Sequence, residues 1–388
     1  MKVVVGCGRY ARAVHIPYLQ RSQNADIVGT IDPDPYVDIE TINAPHSYDT
    51  ETILPFLNDV DADGVIISTP PHTRLDIYDQ IFGEPYHIHI DKPFLTPRTG
   101  QSPTTYKETY HNYVEQAKQH PLPVSIHSQR RFDSFINHCK NALKSTYNKA
   151  GIIPQHIYYE GTDGNLRTNH EWANDEYHSL NRPLGILEHS YYHYIDTYAH
   201  MIQHVTIKDI ATSTNCTTLN DIQAQNNLAT KQILRTTTNA NRSSPVSIDV
   251  THRLTTTNDE TLAFTTHISH LGTTTRTEKN TKHYEDNRYS QKHLHIHAGS
   301  TLSAHYSSTP RDLQSAHVKQ DRLKLTNALQ NSSDLFERER TKKLDAKRQA
   351  TLAAFIQGYE TGADNPSSLA HHDLTHELYL DAALNVLQ

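Results

Sequence analysis

The fold of this chain is decided by residues 2–11, which read Lys-Val-Val-Val-Gly-Cys-Gly-Arg-Tyr-Ala. The apolar run before Gly6 predicts a buried β-strand, and a helical pattern follows the glycines. Gly6 permits a tight turn, Gly8 lets the backbone approach a pyrophosphate, and Ala11 keeps helix and strand close. Strand, Gly-x-Gly-x-x-Ala turn and helix together predict a dinucleotide-binding site.

An acidic residue at the end of the next predicted strand, Ala25 to Ile31, supports the same interpretation. Asp32 lies about 20 residues beyond the glycine turn, where a carboxylate accepts hydrogen bonds from the adenosine ribose hydroxyls. It would repel a 2′-phosphate, so we expect NAD as the cofactor rather than NADP. The Asp-Pro-Asp-Pro sequence from Asp32 leaves open that this residue only shapes a turn.

The length of 388 residues favours two domains. In the first part, strand patterns such as Gly64 to Ser68 and His87 to Ile90 alternate with helical ones, which predicts an N-terminal Rossmann domain with a doubly wound parallel sheet. Threonine-rich, alternating segments between about residues 205 and 306 predict a C-terminal α+β domain with a large, mostly antiparallel sheet. We place the NAD-binding domain at 1–122 and a substrate and oligomerisation domain at 123–388. The terminal helices of the second domain could pack back on the first domain.

Composition excludes several classes of partner. The chain has 36 basic and 43 acidic residues and a formal charge of -7, without the basic and aromatic clusters of nucleic-acid-binding proteins. The 3 cysteines lack the spacing of a disulfide framework or a zinc site. We also expect neither a leader segment nor a membrane-spanning apolar run. We expect a cytoplasmic protein that binds neither nucleic acid nor a membrane.

Several further motifs occur in a characteristic order along the chain. They are His15-Ile16-Pro17, the segment Asp63 to His72 with its Thr69-Pro70 pair, Asp91-Lys92-Pro93, Arg130-Arg131-Phe132, and Gly185 to Asp196. In this order they resemble the Gfo/Idh/MocA oxidoreductases, named for glucose-fructose oxidoreductase and inositol dehydrogenase. The resemblance covers nearly the whole chain, although Asp91 replaces the glutamate of the Glu-Lys-Pro motif.

The resemblance implies an NAD-dependent dehydrogenase or reductase for a small polyhydroxylated substrate: a sugar, a cyclitol or a sugar derivative. It implies that Lys92 reaches the substrate hydroxyl and that His193 is the catalytic histidine. His189 stands where relatives have an aspartate. The resemblance also implies a homodimer or a homotetramer.

The chemistry of alcohol oxidation is consistent with these residues. A base must take the hydroxyl proton, and histidine titrates near neutrality. A lysine can stabilise the developing alkoxide. His189, His193 and Asp196 lie one helical turn apart and would share a face. With 28 histidines in the chain, however, a histidine on a helix face also arises by chance.

The candidate residues fall into three groups. The catalytic candidates are Lys92, His193 and His189. The cofactor candidates are Gly6, Gly8, Arg9, Tyr10, Ala11, Asp32, Thr69, Pro70, His72, Asp91 and Lys92, and the substrate candidates are Arg131, Trp172 and Asp196. We predict no metal site, because neither His293-x-His295-x-His297 nor the pair His372 and His376 has a further ligand fixed by the sequence.

Two other functions remain open from the sequence. Some relatives oxidise a sugar transiently with bound NAD and cleave its glycosidic bond, which gives no net redox change. A non-catalytic dinucleotide sensor is the other, since His189 and Asp91 depart from the family pattern. Net NADH production separates the dehydrogenase from both.

Overall fold

The computed structural model describes most of the chain in two compact units. The described residues are 1–8, 10–34, 42–70, 73–97, 100–164, 183–218, 220–221, 243, 245–269, 289–298, 302–308, 313–320 and 343–387. The first unit contains residues 1–132 and 345–373, and the second contains 133–344 and 374–388. The domain boundary after residue 122 stays a prediction, and the strand that follows it joins the sheet of the first unit.

The first unit is built on a six-stranded sheet. Its strands are β1 (Lys2–Gly6), β2 (Asp26–Ile31), β3 (His46–Ser47), β4 (Gly64–Ile67), β5 (His87–Ile90) and β6 (Val124–Ile126). They pair in parallel in the order β3-β2-β1-β4-β5-β6. The strand order changes direction between β1 and β4, and ligands bind at the carboxyl ends of the strands at such a point. The predicted doubly wound parallel sheet is confirmed.

The second unit contains a seven-stranded sheet. Its strands are β7 (His156–Gly164), β8 (Ile207–Thr218), β9 (Pro245–Thr256), β10 (Thr261–Ser269), β11 (Tyr289–Ala298), β12 (Leu302–Ser308) and β13 (Leu313–Gln320). All neighbours pair antiparallel except β7 and β10, which are parallel. The predicted large, mostly antiparallel sheet is therefore confirmed.

Eight α-helices lie within the described ranges. They are α1 (Ile16–Leu19), α2 (Ile53–Asp59), α3 (Arg74–Ile81), α4 (Pro103–Gln119), α5 (Ser134–Ala150), α6 (Tyr192–Met201), α7 (Lys343–Thr361) and α8 (Asp373–Leu387). Ser102 caps α4 before Pro103, and Asp133 accepts hydrogen bonds from the first amides of α5. Gly151, with φ of 65°, ends α5 in the left-handed region that favours glycine.

The core of the first unit joins its sheet to a helix from the end of the chain. Val3, Val5 and Ile66 of the sheet pack in one cluster with Leu352 and Phe355 of α7. Burial of each such side chain contributes about 1.5–3 kcal/mol. The hydrophobic face of α7 thus completes a layer over β1 and β4.

One predicted helix differs from the structure. The sequence pattern from Pro183 to Met201 predicts a single helix, but the helical turns start as a π-helix at Leu187–Tyr191 and continue as α6. Gly185, just before them, has φ of 46°, and a Cβ there would lie 2.3 Å from the carbonyl oxygen of Pro245. The close approach of β9 therefore fixes a turn at Gly185, where no other residue fits. No helix among the described residues has the length and apolar character needed to cross a membrane.

Candidate active site

The glycine turn lies between β1 and a π-helical turn at Ala11–His15. A Cβ on Gly8 would lie 2.5 Å from the carbonyl oxygen of Ser68, so the backbone of β4's loop excludes any side chain there. The amide of Arg12 donates to the carbonyl of Gly8 at 3.1 Å and begins the helical turns. This turn provides the bare backbone and the helix start that a dinucleotide pyrophosphate requires. Arg9 lies outside the described residues.

Asp32 follows β2 directly and is half-buried. Its amide donates to Ser47 at 3.1 Å, and its carboxylate accepts from the amide of Asp34 at 3.0 Å. Burial raises the pKa of its carboxyl, and the Asp34 amide opposes this effect. The carboxylate therefore stands at the carboxyl end of the strand beside β1, the position from which a ribose is bound.

The end of β4 provides the next cofactor candidates. Thr69 is half-buried, and its methyl group lies 3.4 Å from the position of a Cβ on Gly6. Pro70 is exposed, and its carbonyl accepts from the amide of Thr73 at 3.1 Å. His72 lies outside the described residues. The β4 loop thus approaches the glycine turn as the predicted site requires.

Asp91 connects the end of β5 to this loop. Its amide donates to Ile67 at 3.1 Å, while its buried carboxylate bonds to His15 Nε2 at 3.1 Å and to the Ser68 hydroxyl at 2.5 Å. Burial would raise the pKa of this carboxyl, but the charge and hydrogen bond of His15 hold it well below its ordinary value. Asp91 is therefore ionised in the folded protein.

Arg74 holds the backbone on both sides of Lys92. Its Nη1 donates to the carbonyls of Asp91 at 2.6 Å and Pro93 at 2.5 Å, and its Nε donates to Thr69 at 3.0 Å. Arg74 is 5% exposed, and a buried guanidinium is tolerated only when its donors are bonded. The sequence motifs do not include this residue, although an arginine in the first turn of a helix after the Thr-Pro pair is a usable signal.

Three buried histidines lie beside this segment. His89 Nε2 is 3.1 Å from His127 Nδ1, and His127 Nε2 is 3.0 Å from the Tyr10 hydroxyl. The His15 and His127 rings are 4.8 Å apart. Burial, followed by the charge of His15, lowers the pKa of His89 to about 3, and the same two causes lower the pKa of His127 well below its ordinary value. No sequence motif identifies His127 as a site residue.

The second unit contains the other catalytic candidates. His193 lies in the first turn of α6, is half-buried, and accepts at its carbonyl from the Thr197 hydroxyl at 2.7 Å. His189 lies in the preceding π-helical turn, and its side chain is outside the described part of the structure. π-Helical turns often occur at functional sites. One such turn directly follows the glycine turn at Ala11–His15, and another contains His189 at Leu187–Tyr191.

The substrate candidates lie in different environments. Asp196 is 0% exposed and accepts from the Thr375 hydroxyl of α8 at 3.1 Å. Arg131 is 1% exposed and donates to the carbonyl of Pro366 at 3.1 Å within the first unit. Trp172 lies outside the described residues. Of the predicted site residues, the structure brings together the glycine turn, Thr69 and Asp91.

A glycine turn at the carboxyl ends of such a parallel sheet defines a dinucleotide-binding α/β protein. Residues 2–119 match the Gfo/Idh/MocA family model, described as an oxidoreductase family with an NAD-binding Rossmann fold. This match confirms the family resemblance over residues 2–119. No curated protein matches the chain.

Solved structures share the fold over the whole chain. The WlbA dehydrogenase from Chromobacterium violaceum, in complex with NADH and UDP-GlcNAcA, is 14% identical with a TM-score of 0.66, covering 98% of this chain and 93% of that one. A myo-inositol dehydrogenase from Corynebacterium glutamicum is 14% identical with a TM-score of 0.60, covering 99% and 96%. An oxidoreductase from Agrobacterium radiobacter, in complex with NAD+, L-tartaric acid and magnesium, is 14% identical with a TM-score of 0.61, covering 98% and 96%. At these identities the likeness is one of fold.

Proposed function

We propose that this chain is an NAD-dependent dehydrogenase or reductase for a hydroxyl or carbonyl carbon of a sugar, cyclitol or sugar derivative. The observation that carries the proposal is the position of Asp91-Lys92-Pro93 in the same sheet as the glycine turn, at the end of β5. Neighbours of the same fold are named for myo-inositol and carry a nucleotide sugar, which supports a polyhydroxylated substrate.

The residues of the first unit have separate tasks in this proposal. The turn from Gly6 to Ala11 would hold the pyrophosphate, and Asp32 would hold the ribose. When bound, NAD supplies the acceptor or donor of a hydride. Lys92 would stabilise the alkoxide that develops on the substrate, because a cation lowers the energy of a transition state most where negative charge develops. Arg74 fixes the backbone on both sides of Lys92, which would keep the ammonium group in place.

In the second unit, we assign the proton transfer to His193. A histidine is suited to take the hydroxyl proton at neutral pH. His189 would set the charge state of His193 through repulsion between two imidazoles. The burial of Asp196 and Arg131 does not favour direct contact with a substrate, and we give both a structural role.

A substrate panel tests the proposed function. Sugars, inositols and sugar nucleotides are each incubated with the full chain and NAD, and NADH is followed by its absorbance. We expect net NADH production with at least one polyol. Cleavage of a glycoside without net NADH would identify a hydrolase instead. NAD binding without turnover on the whole panel, in either reaction direction, would identify a sensor.

A further inference from the structure

A cluster of metal-ligating side chains lies inside the first unit, beside the glycine turn and the segment that carries Lys92. One ligand atom each of His15, Asp91 and His127 lies within 4.8 Å of the other two, and all three side chains are buried. Within the described ranges, no other set of three His, Cys, Asp or Glu residues meets this distance. The three residues come from the helical turn after β1 and from the ends of β5 and β6.

Two of the separations are close to those of a tetrahedral metal site. His15 Nε2 and Asp91 Oδ1 are 3.1 Å apart, and His127 Nε2 and the Tyr10 hydroxyl oxygen are 3.0 Å apart. Ligands at about 2.0–2.2 Å from a tetrahedral zinc ion are roughly 3.3 Å from each other. These two pairs would need to separate by a few tenths of an ångström to take an ion, and the ligand atom of His127 lies within 4.8 Å of those of His15 and Asp91.

Hydrogen bonds around His127 fix the orientation and the tautomer of its ring. Hydrogen bonds to metal-binding histidines in other proteins have the same effect. Ser125 donates to the carbonyl of Ile88 at 3.3 Å, and its oxygen is 2.7 Å from His89 Nδ1. Because the hydroxyl has one proton, His89 Nδ1 is the donor to Ser125, and His89 Nε2 accepts from His127 Nδ1. His127 Nε2 then carries a lone pair, which accepts from the Tyr10 hydroxyl at 3.0 Å and is the state that a metal requires.

The charge at the cluster also favours a cation. Asp91 is a buried carboxylate, and buried charges are paired or coordinate metals. Its Oδ1 lies 3.1 Å from His15 Nε2, and it is the anionic ligand of the three. A divalent ion between these residues would therefore be paired with a buried negative charge.

We propose that His15, Asp91 and His127 bind one divalent ion of the zinc type, with the Tyr10 hydroxyl at the fourth position. Two imidazoles favour a transition-metal ion over magnesium or calcium, which prefer oxygen ligands. All four ligands come from the protein, which is the arrangement of structural zinc sites. The ion would fasten the glycine-turn helix to the loops after β5 and β6, and it takes no part in the proposed hydride transfer.

Metal titration of the untagged full chain tests this site. The protein is stripped with a chelator, and Zn²⁺ or Co²⁺ is added back. We expect one tight equivalent per chain that survives dialysis, intense visible bands of tetrahedral Co²⁺, and a Tm that rises with added Zn²⁺. Absence of a tight equivalent would show that the cluster is a hydrogen-bonded histidine network only.

Variants locate the bound ion. Asp91→Asn and His127→Gln should each abolish the tight equivalent. His267→Gln should retain it, because His267 belongs to a surface pair with Asp249 at 2.6 Å in the second unit. Tight binding that persists in the first two variants would overturn the assignment.

X-ray absorption of the Zn²⁺-loaded unmodified chain needs no variant and therefore covers the case in which these substitutions prevent folding. Two imidazoles with oxygen ligands support the site, and any other ligand set refutes it. Since NAD binding is measured by a separate titration, failure of the metal site leaves the proposed function untouched.

Discussion

Single residues decide cofactor choice. Asp32 stands half-buried at the end of β2, with one hydrogen bond from the amide of Asp34. We expect tighter binding of NAD(H) than of NADP(H), and Asp32→Ser should narrow the difference because the substitution removes repulsion of the 2′-phosphate. Calorimetric titration with both cofactors measures the difference in affinity. Equal affinities in the unmodified protein would refute this role of Asp32.

Single residues also decide the chemistry. Lys92→Met and His193→Ala should each lower turnover by about a hundredfold or more, because both residues act mainly in the transition state. NAD affinity should change little, since neither residue is needed for the pyrophosphate or the ribose. Turnover is measured on the substrate that the panel identifies, with calorimetry as the control. A variant that keeps full turnover removes its residue from the mechanism.

At the scale of elements, the first turn of α3 fixes the loop that carries Lys92. Arg74→Met should lower kcat about tenfold or more with a smaller effect on KM, because displacement of a catalytic group by about 1 Å is costly. Arg74→Lys should recover part of kcat, since the ammonium can reach one carbonyl of the two. Arg21→Met, an exposed change in the same unit, is the control. Equal kcat in all variants would show that Arg74 only stabilises the fold, which urea unfolding would report.

At the scale of the whole molecule, buried histidines make stability depend on pH. His252 lies between the hydroxyls of Tyr191 at 2.5 Å and Thr212 at 2.7 Å, and burial lowers its pKa to about 3. The unfolded chain takes up a proton at this residue near pH 6.5, whereas the folded chain does not, so stability is lost as pH falls from about 6.5 to 3.

His252→Gln should reduce the loss of unfolding free energy at low pH by up to about 1.4 kcal/mol per pH unit. Urea unfolding of the variant and the unmodified chain at pH 7, 6 and 5 measures the two slopes. The variant should also be less stable at pH 7, because the glutamine fills the site less well. Identical slopes would contradict the neutral, buried state of His252.

The sequence by itself determined the architecture and the cofactor. Alternating strand and helix patterns fixed the parallel sheet, and the glycine turn with Asp32 pointed to NAD, because these signals are local and depend on the backbone of about ten residues. The motifs also predicted Lys92 and His193. The predicted helix from Pro183 was wrong at its start, because contact with Pro245, remote in sequence, sets the turn at Gly185.

Only the tertiary structure decided which residues meet. Arg74 reaches Asp91 and Pro93, and His127 joins His15 and Asp91, although these residues are separated by many positions in the chain. No spacing rule connects residues that follow different strands, since the order of strands in the sheet sets their distances. Burial then changes their chemistry: it makes His89 and His127 neutral and leaves Asp91 ionised through its pairing with His15. These properties depend on desolvation, which exists only in the folded protein.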